Sequence, residues 1–309
     1  MDLSIVIPVY RSARILPALV GQIKEALTDQ VSAYELILVN DCSPDESWEV
    51  ICGLCSDHPF LKGINLRKNV GQHNAIMAGL NHAKGDVVVM MDDDLQHSPH
   101  DILRLRAQVK AGYDVCYVKF KDKKHATWKR MGSAFNNWVA TFLLQKPRDL
   151  YLSSFKAIAG GVRDELVKYT GPYVYVDGLI LMVTSSIVTI ELEHFERYEG
   201  TGNYSFFRSL ALWAKMATNF SVMPLRAAAT LGLLFSALGL LSAALLVMER
   251  LMGNDWPPGW ASVIVAVLVI GGFQLLAIGL IGEYLGRTYI TVNRTPQYTV
   301  RESRNLSDQ

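Results

Sequence analysis

Three consecutive aspartates at residues 92–94, followed by a leucine and by Gln96, are the side chains in this sequence best suited to chemistry. They come directly after the apolar run of residues 87–91. Neighbouring carboxylates repel one another unless water or a cation offsets their charge. Alternate residues of an extended segment point the same way, so Asp92, Asp94 and Gln96 would face one site. Oxygen ligands suit Mg²⁺ or Mn²⁺, which we predict as the cofactor; the alternative is a solvated acidic turn.

Asp41 lies in a second polar segment, residues 39–45, with the sequence Val-Asn-Asp-Cys-Ser-Pro-Asp. A carboxylate at this position can accept hydrogen bonds from a nucleotide base or from ribose hydroxyls. A helix N-cap explains the neighbouring Ser43 or Asp45 equally well. Residues 67–72, Arg-Lys-Asn-Val-Gly-Gln, add cations and a glycine turn that are compatible with phosphate contact.

Apolar runs of strand length alternate with helical patterns through the first 120 residues. The predicted strands cover residues 3–9, 35–39, 63–66, 86–91 and 114–120, and the predicted helices cover residues 15–27, 45–55 and 75–83. This alternation predicts an α/β fold with a mostly parallel, Rossmann-like sheet. Ligands of such sheets bind at the carboxyl ends of the strands, where Asp41 and the acidic motif both fall.

Net charge and cysteine content exclude several other classes of protein. The net charge of +1 gives no global field to recruit nucleic acid, so we predict no nucleic-acid partner. Cys52 and Cys55 form a C-x-x-C pattern without a second pair, and we interpret the four cysteines as small buried residues in a reducing cytosol. The first ten residues lack the basic region and long apolar core of a secretory signal.

Two segments near the C-terminus, residues 227–248 and 261–282, carry no charged side chain. Each has about the 20 residues that a helix needs to cross a bilayer; a buried soluble hairpin is the alternative. Residues 205–219 mix aromatic and basic side chains, as interfacial helices do. Residues 128–144 are similar, with ordinary packing on the core as the alternative. The connecting loop, residues 249–260, holds a single basic residue, so the positive-inside rule places both termini in the cytoplasm.

These patterns predict four regions in a multi-pass protein of the inner (plasma) membrane. They are a cytosolic domain over residues 1–204, an interfacial helix and link over residues 205–225, two transmembrane helices over residues 226–286 with a periplasmic loop at 249–260, and a cytosolic tail over residues 287–309.

Several motifs occur together in an order that carries a family resemblance. They are Ile-Val-Ile-Pro-Val-Tyr at residues 5–10, the segments 39–45 and 69–71, Ala-Lys-Gly-Asp at 83–86, and Asp-Asp-Asp-Leu-Gln at 92–96. This order resembles glycosyltransferase family 2, which implies a GT-A type fold. The D-x-D-L-Q form and residues 197–204 are similar to its polyprenyl-phosphate branch, which includes bactoprenol glucosyltransferase, dolichol-phosphate mannose synthase and the formamido-arabinose transferases.

The resemblance implies a role for each candidate site residue. The donor nucleotide would contact Pro8, Tyr10, Asp41, Asp92 and Asp93. Asp94 and Arg197 would be catalytic, with the metal held by Asp92, Asp94 and Gln96. The acceptor phosphate would contact Lys119, Arg130, Ser133 and Arg197. Two residues depart from the family pattern, Arg11 after Pro-Val-Tyr and Gly202 in place of a serine.

The predicted reaction is metal-dependent transfer of a sugar, with inversion, from a UDP-linked donor to a polyprenyl (undecaprenyl) phosphate. Residues 153–156 lack the aspartate that some family members carry, but a phosphate monoester is already anionic at neutral pH and needs no protein base. The resemblance also implies a homo-oligomer. The alternatives are a non-catalytic scaffold or sugar-nucleotide-binding protein, and a family 2 transferase acting on a glycan. A processive synthase is disfavoured because the sequence has no Q-x-x-R-W motif.

Overall fold

The computed structural model of the protein describes residues 1–120, 150–192, 223–252 and 259–306. The chain divides into two compact units: Met1–Tyr204 together with Arg294–Gln309, and Ser205–Asn293.

The first unit is an α/β domain built on one sheet. Its described strands are β1 (Leu3–Val9), β2 (Tyr34–Asn40), β3 (Leu61–Leu66), β4 (Val87–Met90), β5 (Val115–Phe120), β6 (Lys156–Ala159), β7 (Ile187–Leu192) and β8 (Val300–Arg304). Its described helices are α1 (Leu16–Leu27), α2 (Ser47–Asp57), α3 (Gln72–His82), α4 (Asp101–Lys110), α5 (Gly160–Leu166) and α6 (Val176–Val183). The strand order is β7-β5-β6-β4-β1-β2-β3-β8.

The four central strands, β3, β2, β1 and β4, are parallel, as the alternating pattern predicts. All residues of β1 and β4 are buried, because helices cover both faces of a parallel sheet. Pro8 has no N–H to donate, and it is accommodated because the pairing of β1 with β4 ends at Val6. Asn40 is the register partner of both Val9 and Asn65, so the strands end together at one edge.

The described sheet is mostly parallel, as the sequence predicts, but it also includes two antiparallel strands that the sequence did not indicate. β6 runs antiparallel to both β4 and β5, and β8 runs antiparallel to β3. β6 has four residues and β8 is almost wholly exposed. Neither segment therefore carries the apolar periodicity by which a strand is recognised in a sequence.

The second unit contains two long helices, α7 (Met223–Leu251) and α8 (Trp260–Val292). Among the described residues, one segment, Val269–Val292, is long and apolar enough to cross a membrane, with a mean hydropathy of 1.5. It begins later than the predicted span at residues 261–282. The apolar part of α7, Ala228–Gly239, is shorter. The segments 128–144 and 205–219, predicted to be aromatic-basic helices, lie outside the described residues.

Candidate active site

The carboxyl edge of the central strands brings together residues that are far apart in the sequence. The Tyr10 amide donates to the Asp93 carboxylate at 3.2 Å, which ties the end of β1 to the acidic motif after β4. The Gln72 side chain donates to Asp92 at 2.6 Å, which ties α3 to the same motif. The Asp41 amide donates to the Val9 carbonyl at 2.9 Å. The acidic motif and Asp41 therefore share one edge of the sheet.

Asp41 is buried, and its carboxylate holds the loop that follows β3. The backbone amides of Val70 and Gly71 donate to its two oxygens at 2.7 and 2.9 Å, and the Asn69 side chain donates to its carbonyl at 3.1 Å. Burial raises the pKa of Asp41, although the two amide hydrogen bonds act in the opposite direction. The Gly71 φ of 85° explains why a glycine follows Val70 here. The sequence predicts only ligand binding for Asp41, and its second role in holding the loop appears in the structure alone.

The acidic motif is a turn and not the extended segment that the sequence predicts. Leu95 has a φ of 58°, which reverses the backbone between Asp94 and Gln96. The Gln96 amide donates to the Asp94 carboxylate at 3.1 Å, closing the turn with a local hydrogen bond. Alternation along a strand therefore cannot be the reason why Asp92, Asp94 and Gln96 would share a site.

Asp93 is anchored beneath this turn. Its carboxylate accepts hydrogen bonds from the Ser12 hydroxyl at 2.5 Å and from the Tyr10 amide at 3.2 Å. Burial raises the pKa of Asp93 to about 6, and the charge of Asp92 adds to the rise. These contacts make Asp93 a tether between the acidic turn and the residues after β1.

Backbone strain collects at the same edge. Arg11, Cys42 and Leu95 have φ values of 60°, 52° and 58°, and each follows the end of a central strand. Non-glycine residues rarely adopt this left-handed conformation, and they are enriched at ligand sites where the surrounding structure enforces it. This observation is independent of the motif and identifies the same place on the protein.

The residues of the acidic turn fit a divalent cation by their chemistry. Asp92 and Asp94 supply carboxylates and Gln96 supplies an amide oxygen, which are ligands that Mg²⁺ and Mn²⁺ accept. In the part of the chain that the structure describes, no group of three or more His, Cys, Asp or Glu side chains is arranged as a metal site.

A buried polar cluster, which the sequence did not reveal, lies beside the acidic turn. Lys156 begins β6, where its register partners are Met90 of β4 and Tyr117 of β5. Its ammonium forms an ion pair with Asp177 of α6, and the Tyr117 hydroxyl donates to the same carboxylate at 2.8 Å. Lys156, Tyr117 and Asp177 each lie among apolar residues in the sequence and far from one another, so no local sequence pattern indicates that they form a cluster.

The remaining predicted site residues divide into two groups. Pro8 is buried within β1, and Tyr10 is exposed beside Arg11, whose guanidinium lies 5.4 Å from the centre of the Tyr10 ring. Lys119 is on β5, half-exposed, and pairs with Glu191 at 3.2 Å. Arg130, Ser133 and Arg197, all predicted to contact the acceptor phosphate, lie outside the described residues.

A mixed α/β sheet with an acidic turn after its fourth strand defines a GT-A-like core. Residues 4–167 match the family described as Glycosyl transferase family 2. The chain belongs to this family and is a glycosyltransferase.

Curated relatives match the chain over nearly its whole length. It is 32% identical over 304 residues to an undecaprenyl-phosphate 4-deoxy-4-formamido-L-arabinose transferase of Proteus mirabilis (strain HI4320), covering 97% of this chain and 93% of that protein. It is 31% identical over 307 residues to YkcC of Bacillus subtilis (strain 168), named only as a glycosyltransferase, covering 99% and 95% of the two chains.

Solved structures share the fold at low sequence identity. Glucosyl-3-phosphoglycerate synthase from Mycobacterium tuberculosis matches with a TM-score of 0.51 and 16% identity, over 70% of this chain and 78% of that one. A second structure of that enzyme, in complex with Mn²⁺, UDP and phosphoglyceric acid, matches with a TM-score of 0.50 and 17% identity, over 70% and 76% of the chains.

Proposed function

We propose that this glycosyltransferase moves a sugar from a UDP-linked donor onto undecaprenyl phosphate, giving a lipid-linked monosaccharide for modification of the cell envelope. The observation that carries the proposal is the gathering of Asp41 and the acidic turn at one strained edge of the sheet. The name of the Proteus relative, at 32% identity over nearly the whole chain, supports the lipid phosphate as acceptor.

On the donor side, Asp41 and Tyr10 would contact the nucleotide, with Asp92 against the ribose or the diphosphate. Mg²⁺ or Mn²⁺ would be held by Asp92, Asp94 and Gln96, and it would screen the charge of the diphosphate leaving group. The complex of the Mycobacterium enzyme with Mn²⁺ and UDP supports a divalent cation in this fold. Because the Asp93 carboxylate already accepts hydrogen bonds from Ser12 and Tyr10, we assign Asp93 to anchoring the turn and not to direct contact with the nucleotide.

The chemistry would be a single in-line displacement. An oxygen of the lipid phosphate attacks the anomeric carbon, a new C–O bond forms as the bond to the diphosphate breaks, and the configuration inverts. A phosphate monoester has a second pKa near 6, so at neutral pH the nucleophile is already an anion. Lys119, Arg130, Ser133 and Arg197 would position it and offset the repulsion between two anionic substrates.

The proposed setting is the inner membrane, with α7 and α8 crossing as a hairpin and the catalytic unit in the cytoplasm. The uncharged segments 227–248 and 261–282 support this, as does the apolar character of Val269–Val292. Residues 205–225 would lie at the interface and hold the site near the headgroups. We also propose that the protein forms a homo-oligomer.

The test is a transfer assay with the purified full-length protein in detergent. Undecaprenyl phosphate, a panel of UDP- and GDP-sugars, and MgCl₂ or MnCl₂ are supplied, and the lipid-linked product is identified by mass spectrometry. We expect product with one UDP-sugar, and none after EDTA treatment until the metal is restored. A folded protein that gives no lipid-linked sugar with any donor would support a scaffold or a glycan-directed transferase instead.

Two variants test the residue assignments. We expect Asp94→Ala and Arg197→Ala each to lower the turnover rate by about 100-fold or more, because each removes a charge that stabilises the transition state. Asp57→Ala, at an exposed acid that ends α2, is the matched control and should keep wild-type activity. Near-normal transfer in both site variants would contradict the assignment.

A further inference from the structure

The C-terminal arm, defined as residues 294–306, follows α8 and folds back onto the catalytic sheet. Within it, β8 pairs antiparallel with β3, although the side chains of β8 are mostly exposed. Side chains hold the arm on either side of the strand. Gln297 donates to the Tyr169 carbonyl at 2.5 Å, and Asn305 donates to the carbonyls of Cys55 and Leu61 at 2.7 and 2.9 Å. The arm is therefore a docked element of the α/β domain.

The antiparallel pairing gives the two ends of β8 different surroundings. Val300 is the partner of Leu66 at the carboxyl end of β3, whereas Arg304 is the partner of Gly63, nearer its amino end. The Arg67 amide donates to the Thr299 carbonyl at 2.8 Å. The start of the arm strand thus lies at the edge of the sheet that carries the candidate active site, and Asn305 lies away from it.

A line of hydrogen bonds runs from the arm along this edge. The Asn65 side chain donates to Glu302 at 3.3 Å and accepts from the Asn40 side chain at 2.9 Å. The Asn40 oxygen then accepts from the Ser43 amide at 3.3 Å. Asn40 and Asn65 are both buried, where an unsatisfied amide is costly, so each depends on its neighbour for its orientation.

Asp41 is the next residue after Asn40, and the loop that it holds begins just after Arg67. We call Asp41 and the two segments around it, residues 40–43 and 67–71, the Asp41 cradle. The arm contacts both segments: residues 40–43 through Asn65, and residues 67–71 through the Thr299 carbonyl. Glu302 is the charged residue at one end of this series of hydrogen bonds, and its second carboxylate oxygen lies 3.9 Å from a guanidinium nitrogen of Arg304.

We infer that the C-terminal arm is a positioning element of the donor-nucleotide site, in which Glu302 and the Thr299 carbonyl hold the Asp41 cradle in its binding geometry. The inference rests on the proposed function, because it takes Asp41 as a contact of the nucleotide. The arm that follows α8 would thus affect donor binding although no arm residue contacts the donor.

The test compares Glu302, in the middle of β8, with Asn305, the residue that follows its last one, in the full-length protein in detergent. Glu302→Ala removes the acceptor of the Asn65 side chain. Asn305→Gly removes two hydrogen bonds just beyond Arg304, away from the candidate active site, and it keeps the positive φ of 56° that residue 305 adopts. Glu302→Gln keeps an acceptor for Asn65 and serves as the conservative rescue. UDP affinity is measured by calorimetry with MnCl₂, and amide exchange is followed at residues 67–71.

We expect Glu302→Ala to weaken UDP binding about three- to tenfold, the range set by losing one partly exposed hydrogen bond, and to speed exchange at residues 67–71. Turnover at saturating donor should change much less than the donor KM. Glu302→Gln should restore most of the affinity, and Asn305→Gly should lower the melting temperature without changing UDP affinity. If Glu302→Ala and Asn305→Gly weaken UDP binding equally, or neither weakens it, the inference is wrong while the proposed function stands. If the wild-type protein binds no nucleotide, both fail.

Discussion

The buried ion pair between Lys156 and Asp177 should make a measurable contribution to the free energy of unfolding. The side chains of Lys156 and Asp177 are only 2% and 9% exposed, and the Tyr117 hydroxyl also donates to the carboxylate. The Lys156 ammonium lies 5.4 Å from the centre of the Tyr117 ring. Removing either charge would leave the other in a low-dielectric environment without a full partner.

Loss of one partner of such a pair costs about 3–5 kcal/mol, a large part of the 5–15 kcal/mol by which domains are typically stable. We therefore expect Lys156→Met and Asp177→Asn each to lower the free energy of unfolding by about 3 kcal/mol or more. The double variant removes both charges and keeps an acceptor for the Tyr117 hydroxyl. It should recover to within about 1–2 kcal/mol of the wild type.

The assay is equilibrium unfolding of the full-length protein in detergent, with the two single variants and the double variant forming a cycle. Lys168→Met is the matched control, because its pair with Glu165 is 66% and 52% exposed and should contribute less than about 1 kcal/mol. A loss of stability in Lys156→Met no larger than in the control, or a double variant as unstable as the sum of the two single variants, would contradict a stabilising buried ion pair.

Two further predictions concern stability. Burial lowers the pKa of His73 to about 4, whereas an unfolded histidine titrates near 6.5. The unfolded chain therefore binds more protons than the folded chain as the pH falls below about 6.5. The free energy of unfolding should decrease by about 2 kcal/mol between pH 7.5 and pH 5. Melting of His73→Gln over the same range should lack this component, and an identical pH dependence would contradict the assignment. A Cβ on Gly85 would lie 2.4 Å from the Ser4 backbone nitrogen, so Gly85→Ala should destabilise by about 3 kcal/mol. Gly53→Ala, in an open part of α2, should stabilise by roughly 0.5–1 kcal/mol, and denaturant titration distinguishes the two signs.

The central strands could be predicted from the sequence because their signal is local. The run Leu3–Val9 is apolar at every position except Ser4, and residues 87–90 are all apolar, so each strand is recognisable without knowledge of its neighbours. Polar residues after such runs must lie at the carboxyl edge of a parallel sheet. The sequence therefore determined the α/β class, the position of the acidic motif at a strand end and the family to which the chain belongs.

The tertiary structure decided the contacts that bring distant residues together. The turn at Leu95 depends on a positive φ that no residue type requires, and the two amides on Asp41 belong to a loop 29 and 30 residues away. Glu302 and Asn65 are separated by 237 residues, and β8 carries no apolar pattern. Periodicity and motif order report only on local structure, whereas hydrogen bonds between buried amides and backbone pairing at a sheet edge depend on how the whole chain folds.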